Sequence, residues 1–146
     1  MSGAAAGMAI EPNRKAVTIY GLRHARTALR VAAALQVPVL LLSAPGAAAS
    51  AGPAWFLAVV AQAREAHPEA DVEAALDCAH FGGHALAALR EGLTIIVHDG
   101  TANDAVEDIA RQYGAAVLRA RPAALDTRLA ETAGDLEVAL RDWLQE

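Results

Sequence analysis

The stretch VPVLLLS, residues 37–43, is a nearly continuous apolar run that ends in a polar residue. A second run, LTIIV at residues 93–97, has the same character. Strands that are apolar throughout are typical of a parallel sheet with both faces covered. These two runs therefore predict central strands of a parallel sheet, and the segments around them indicate what packs against it.

Three more strands are predicted at residues 17–21, 72–77 and 115–120. Apolar residues at helical spacing follow the five strands, at residues 23–36, 53–66, 83–91, 102–113 and 127–144. Strands that alternate with helices in this way are typical of a parallel α/β fold. The sequence thus predicts a single α/β domain at residues 15–146, with a five-stranded, mainly parallel sheet and flanking helices. Residues 1–14 are predicted to be a flexible tail.

The strand patterns also bear on the order of the sheet. Residues 17–20 and 118–121 alternate between apolar and polar, which is typical of edge strands. Edges at the first and fifth strands favour the sequential order of half a TIM barrel over the 2-1-3-4-5 order of a flavodoxin-like three-layer sandwich, although both stay open. In a sequential sheet all helices lie on one face, so the other face needs cover from a partner subunit or a terminal segment. A homodimer is therefore expected.

The composition argues against several classes of partner. The 146-residue chain has 12 basic against 17 acidic residues, a formal net charge of −5, and 4% aromatic residues. Nucleic-acid binding depends on clustered basic residues and on aromatic side chains that stack on bases, so no nucleic-acid partner is expected. The apolar runs are far shorter than the ~18 residues that span a bilayer, and a secretion signal is not recognisable. Together with a lone cysteine, this predicts a soluble, cytoplasmic protein with no membrane partner.

Polar residues follow three of the predicted strands. Ser43 and Gly46 follow the second strand, Asp77 ends the third, and His98 and Asp99 end the fourth. Ligands of parallel α/β proteins bind at the carboxyl ends of strands, so these five are the predicted ligand-binding residues. A carboxylate that ends a buried strand is costly unless it is paired, forms a turn or contacts a ligand. Asp77 is therefore the predicted catalytic residue, with a capping or turn-forming role as the alternative.

The residues after Asp77 include possible metal ligands. Thiolate and imidazole groups bind zinc, and the spacing Cys78-x-His80-x₃-His84 places three of them beyond one strand. A zinc site at these three residues is one hypothesis, with His98 from the next strand as a further ligand. In that hypothesis Asp77 is the general base of a metal-dependent lyase or hydrolase. The alternative is that Cys78 is simply a small buried residue.

Several motifs, taken in order, resemble the amino-terminal part of class II fructose-bisphosphate and tagatose-bisphosphate aldolases. They are GLRHA at 21–25, VPVLLLSAPG at 37–46, AGP at 51–53, ALDC at 75–78 and EGLTIIVHDG at 91–100. The resemblance covers roughly residues 17–110. It implies part of a zinc-dependent (β/α)₈ barrel. In that comparison Asp77 matches the catalytic aspartate, Cys78 stands where the first zinc histidine is expected, and Ser43 and Gly46 lie in a loop that lines the site.

The chain departs from that family in the parts on which its activity depends. The family takes two further zinc histidines and its phosphate-binding loops from later strands, and 146 residues are too few for the ~250 of a full barrel. The resemblance therefore implies a small-molecule or sugar-phosphate binding protein, more readily than an enzyme, and without aldolase activity. The alternatives are a metal-dependent lyase or hydrolase that uses Asp77 and zinc, and an oligomeric assembly or regulatory module.

Overall fold

Six strands form one sheet in this computed structural model, which describes residues 14–101 and 103–146. They are β1 Lys15–Ile19, β2 Val39–Ser43, β3 Val72–Asp77, β4 Ile95–Val97, β5 Ala116–Leu118 and β6 Ala124–Asp126. Their order is β5-β4-β3-β2-β1-β6, and every pairing is parallel. The predicted parallel α/β fold is confirmed, with one strand more than the five expected.

The described residues also form seven helices: α1 Leu22–Leu35, α2 Ala47–Ser50, α3 Pro53–Ala66, α4 Gly82–Glu91, α5 Asn103–Gln112, α6 Thr127–Ala133 and α7 Leu136–Leu144. The helix predicted at 127–144 is two helices, because the chain breaks at Gly134 and Asp135 caps the second helix with its side chain. None of the helices in this described part of the chain has both the length and the apolar character needed to cross a membrane.

The order of the strands distinguishes the two predicted architectures. The first five strands are sequential, as in part of a barrel, and do not have the 2-1-3-4-5 order of a flavodoxin-like sandwich. The larger core cluster joins one face of the sheet to α1, α3, α4, α5 and α7, so these helices share that face. The fifth strand is an edge, as predicted. The prediction that the first strand is an edge is wrong, because β6 pairs with the outer side of β1.

The opposite face of the sheet is covered within the chain. It carries a smaller cluster of buried apolar side chains, from Ala16, Leu40, Leu42, Ala75, Ile95 and Val97. Leu118 and Ala124, which flank the connection from β5 to β6, pack against this cluster. The expectation that a partner subunit must cover this face therefore loses its basis.

The connection from β5 to β6 is short for the distance that it crosses. These strands are opposite edges of the sheet, and in a flat six-stranded sheet they would lie about 24 Å apart. The six Cα–Cα steps from Leu118 to Ala124 reach about 21 Å at most. Because β5 and β6 are parallel, the chain must also return along the strand axis. The sheet must therefore curl, and residues 119–123 run across its concave face.

Most of the predicted tail, residues 1–13, lies outside the described residues. Arg14, the last residue of the predicted tail, belongs to the folded domain: it is buried and donates to the backbone oxygens of Val39 and Asp71, both at 3.1 Å. It also pairs with the carboxylate of Asp71 at 2.9 Å. The folded part of the chain therefore begins no later than Arg14.

Candidate functional site

Arg121, in the connection between β5 and β6, reaches the carboxyl ends of three neighbouring strands. Its Nη1 donates to the backbone oxygen of Ser43 at 3.0 Å and to Oδ2 of Asp77 at 2.7 Å. Its Nη2 donates to Oγ1 of Thr18 at 3.1 Å. One guanidinium thus links β1, β2 and β3 to the crossing segment, residues 119–123, which connects β5 to β6. Sequence reasoning missed Arg121 because its three partners lie between 44 and 103 positions away along the chain.

Asp77 is almost fully buried, and both of its carboxylate oxygens are occupied. Oδ1 accepts the N–H of Gly46 at 3.1 Å and that of Ala79 at 2.7 Å, while Oδ2 accepts Arg121. The N–H of Asp77 donates to Oγ of Ser43 at 2.9 Å. These bonds offset the desolvation of the carboxylate, so Asp77 holds the loops after β2 and β3 in place. Asp77 thus has the turn-forming role that was the alternative prediction. A catalytic role for Asp77 stays a prediction.

The predicted ligand-binding residues lie in two places. Ser43, Gly46 and Asp77 meet around Arg121. Asp99 is exposed in the loop after β4, where its N–H donates to the backbone oxygen of Ala79 at 3.0 Å. This bond ties the loop after β4 to the loop after β3.

His98 is fully buried at the end of β4 and is held by its own loop. Its Nδ1 lies 2.7 Å from Oδ1 of Asn103, at the start of α5, which assigns the proton to Nδ1. Nε2 is buried without a hydrogen-bond partner among the described residues. Gly100 packs closely against this atom. A Cβ built on Gly100 would lie 2.8 Å from Nε2 of His98 and 2.7 Å from the backbone oxygen of His80.

The predicted zinc ligands point in different directions. Cys78 is buried in the helix-side core, while the rings of His80 and His84 pack against exposed Phe81, the first tilted at a centroid distance of 4.2 Å and the second edge to face at 5.6 Å. Ala79, with a φ of 51°, turns the chain between them into the left-handed region. In the described part of the chain no three histidine, cysteine or acidic side chains are placed to hold a metal ion. Cys78, His80 and His84, the three predicted zinc ligands, thus do not converge in this structure.

The thiol of Cys78 lacks the environment of a reactive or ligating cysteine. Burial, and to a lesser extent the charge of Asp77, raises the pKa of the Cys78 thiol to about 12. A thiolate is the nucleophilic and metal-binding form, and it is disfavoured here at neutral pH. The alternative interpretation of Cys78 as a small buried residue is confirmed.

A second polar cluster lies beside the first, where β1 and β6 end. The hydroxyl of Tyr20 donates to Asp126, and the guanidinium of Arg128 lies 3.9 Å from the centre of the Tyr20 ring. His24 accepts the N–H of Tyr20 on Nδ1, so its proton is on Nε2, which donates to Oε1 of Glu131 at 2.8 Å. This cluster ties the start of α1 to α6.

The carboxylate of Glu131 is strongly stabilised in its charged form. A hydrogen bond from Arg23 and, to a smaller extent, one from His24 lower the pKa of Glu131 to about 2. The pKa of the Tyr20 hydroxyl is raised, because the group is partly buried and donates a hydrogen bond to Asp126. These groups are thus paired with one another within the second cluster.

The fold and the site define an α/β protein with a paired arginine–aspartate cluster at the carboxyl edge of a curled parallel sheet. No protein-family model matches this sequence, and no curated protein is detectably similar to it. The resemblance to class II aldolases thus stays a prediction.

Replacing Gly100 with alanine is expected to destabilise the protein by about 2 kcal/mol, a typical effect of overpacking. The added methyl group would meet Nε2 of His98 and the backbone oxygen of His80 at less than 3 Å. Gly83→Ala is the matched control, since nothing lies within 4 Å of its Cβ position. Urea unfolding measures both variants. Similar stabilities for Gly100→Ala and the wild type would contradict the tight packing around His98.

The buried thiol of Cys78 is expected to make stability fall at high pH. In the unfolded chain the thiol ionises near its ordinary pKa of 9.0, whereas in the folded protein it stays neutral to about 12. Above pH 9 the folded state therefore binds more protons, and the free energy of unfolding decreases by at most about 1.4 kcal/mol per pH unit. Cys78→Ala removes this contribution, so its unfolding free energy should depend less on pH above 9. Equal slopes would contradict a buried, neutral thiol.

Proposed function

We propose that this protein binds a small anionic molecule, of the sugar-phosphate class, at the carboxyl edge of its sheet, and that it has no aldolase activity. The observation that carries the proposal is the convergence of Thr18, Ser43 and Asp77 on Arg121 where three adjacent strands end. Ligands of parallel α/β proteins bind at this edge, because strand ends and helix starts bring polar groups together there.

The helices around this edge favour a negatively charged ligand. α1, α3 and α4 begin on the carboxyl side of the sheet, and none of them has an acidic residue in its first turn or a side-chain cap. The unpaired N–H groups at a helix start carry a partial positive charge. By contrast, Asp126 and Asp135 cap α6 and α7. The uncompensated helix starts therefore add positive potential to that of Arg121.

Two features argue against aldolase or zinc-dependent chemistry. Cys78, which stands in the place of a zinc histidine in the resemblance, is buried on the helix side of the sheet as a neutral thiol. Asp77, which matches the proton-moving aspartate, is engaged by Arg121 and by two backbone N–H groups. A metal-dependent lyase or hydrolase built on Cys78, His80 and His84 would lack a convergent set of ligands.

We also propose that the protein works in the cytoplasm, since its single free cysteine requires no oxidising compartment. The expectation of a homodimer or assembly module rested on the edges of the sheet and on an apolar face in need of cover. That face is buried within one chain, so it gives no reason to expect a partner subunit there.

Sugar phosphates are expected to raise the melting temperature, and the parent sugars are not. A ligand at a hundred times its dissociation constant adds about 2.7 kcal/mol, which for a domain of this size corresponds to roughly 5–10 °C. Scanning fluorimetry against triose, pentose and hexose phosphates measures the shift. Sodium chloride at matched ionic strength is the control for general salt effects. A panel in which no phosphorylated sugar stabilises the protein would contradict the proposal.

The absence of aldolase activity is checked on the same material. Fructose 1,6-bisphosphate incubated with the protein and added zinc should yield no triose phosphate above the rate without protein. Cleavage that is abolished by Asp77→Asn would show the catalytic role that the paired carboxylate argues against.

A further inference from the structure

We propose that Arg121 is the residue that recognises the ligand, and that it binds an oxyanion of the ligand through the N–H groups of Nε and Nη2. This inference rests on the proposed function, and it names the atoms and the chemical group involved. The group is a phosphate or a carboxylate, since both present two oxygens at the spacing of a guanidinium fork.

The count of donors on Arg121 leaves two of them unused. A guanidinium has five N–H groups. Ser43 and Asp77 accept from Nη1, and Thr18 accepts from Nη2. The N–H of Nε and the second N–H of Nη2 have no acceptor among the described residues. These donors are on neighbouring nitrogen atoms, the arrangement that binds two oxygens of one anion.

The unused donors belong to the part of the cluster that reaches solvent. The side chain of Arg121 is 28% exposed, whereas that of its partner Asp77 is 4% exposed. Thr18 and Ser43 are also buried. The groups that anchor the guanidinium are thus buried, whereas Nε of Arg121 is not among the buried polar atoms that lack a hydrogen-bond partner in the described residues, so an incoming anion has access to it.

Arg119, two residues earlier, shows in the same molecule what such a fork binds. Its Nε donates to Oε2 of Glu107 at 2.7 Å, and its Nη2 donates to Oε1 of Glu107 at 2.9 Å. The two nitrogen atoms that are occupied in Arg119 are those with free donors in Arg121. Arg119 thus has its carboxylate within the chain, and Arg121 has none at the equivalent atoms in the described residues.

The anchored position of Arg121 suits it to binding. Three hydrogen bonds already fix its guanidinium, so little further side-chain freedom is lost when an anion arrives. Its charge is partly balanced by Asp77, and the uncapped starts of α1, α3 and α4 supply further positive potential nearby. A surface arginine without such anchoring would have to be ordered by the ligand.

The test is to follow the Nε–Hε signals of the eleven arginines by ¹H–¹⁵N NMR during titration with inorganic phosphate, and separately with acetate. Loss of one signal in Arg121→Lys assigns Arg121, and Arg119→Lys assigns Arg119 likewise. The Arg121 signal should shift and saturate, whereas the Arg119 signal should stay in place because Glu107 occupies its fork. The anion that saturates at the lower concentration identifies the group as phosphate or carboxylate.

A binding measurement on the two lysine variants completes the test. Arg121→Lys keeps the positive charge but lacks the fork, so phosphate should bind about tenfold more weakly or worse by calorimetry. Arg119→Lys should bind phosphate as the wild type does. Equal weakening in both variants would show that the loss is not specific to the fork of Arg121 and would overturn the inference.

The two proposals fail in distinguishable ways. Stabilisation by a sugar phosphate with an unmoved Arg121 Nε–Hε signal would leave the proposed function standing and overturn the role of Arg121. A saturable shift of Arg121 with phosphate, without stabilisation by any sugar phosphate, would support the fork and contradict the sugar-phosphate function. An unmoved signal and no stabilisation would overturn both.

Discussion

A five-residue connection has to carry the chain from β5, at one edge of the sheet, to β6 at the other, and also back along the strand axis. Only a curled sheet allows this, because the flat distance exceeds the reach of the segment. Curling encloses the concave face, where the small side chains of Ala16 and Ala75 are buried. The connection therefore determines the shape of the sheet and closes the face that has no helices.

Arg121 and Asp77 depend on each other within this arrangement. A buried carboxylate at the end of β3 needs donors, and Arg121 supplies one from the connection while Gly46 and Ala79 supply two from neighbouring loops. The same pairing fixes the guanidinium at the edge where helices α1, α3 and α4 begin. The interaction that closes the fold thus also places a positively charged group, with unused donors, where parallel α/β proteins bind ligands.

Most of the fold was predictable because local signals agree with one another. Long apolar runs identify β2 and β4, and Pro53 stands at the first position of a helix, where its fixed backbone angle is favourable. The strand β6 was missed because its three residues have no pattern of their own and pair with β1 more than 100 positions away. Short strands of this kind are determined by tertiary contacts.

The site was only half predictable for a related reason. Ser43 and Asp77 follow from their position at strand ends, but the role of Arg121 depends on the curl of the sheet. The predicted zinc ligands do not converge because spacing along the chain does not fix direction, and the left-handed turn at Ala79 separates Cys78 from His80 and His84. A motif whose residues follow a strand needs the path of the loop before its chemistry can be inferred.

The central claim is that Arg121 and Asp77 hold the crossing segment on the sheet as a pair. A double-mutant cycle of Arg121→Met and Asp77→Asn, measured by urea unfolding, tests it most directly. The two residues are in contact at 2.7 Å and mostly buried, so the coupling energy should be about 2 kcal/mol. Additive effects of the two substitutions, with coupling below about 0.5 kcal/mol, would contradict the claim.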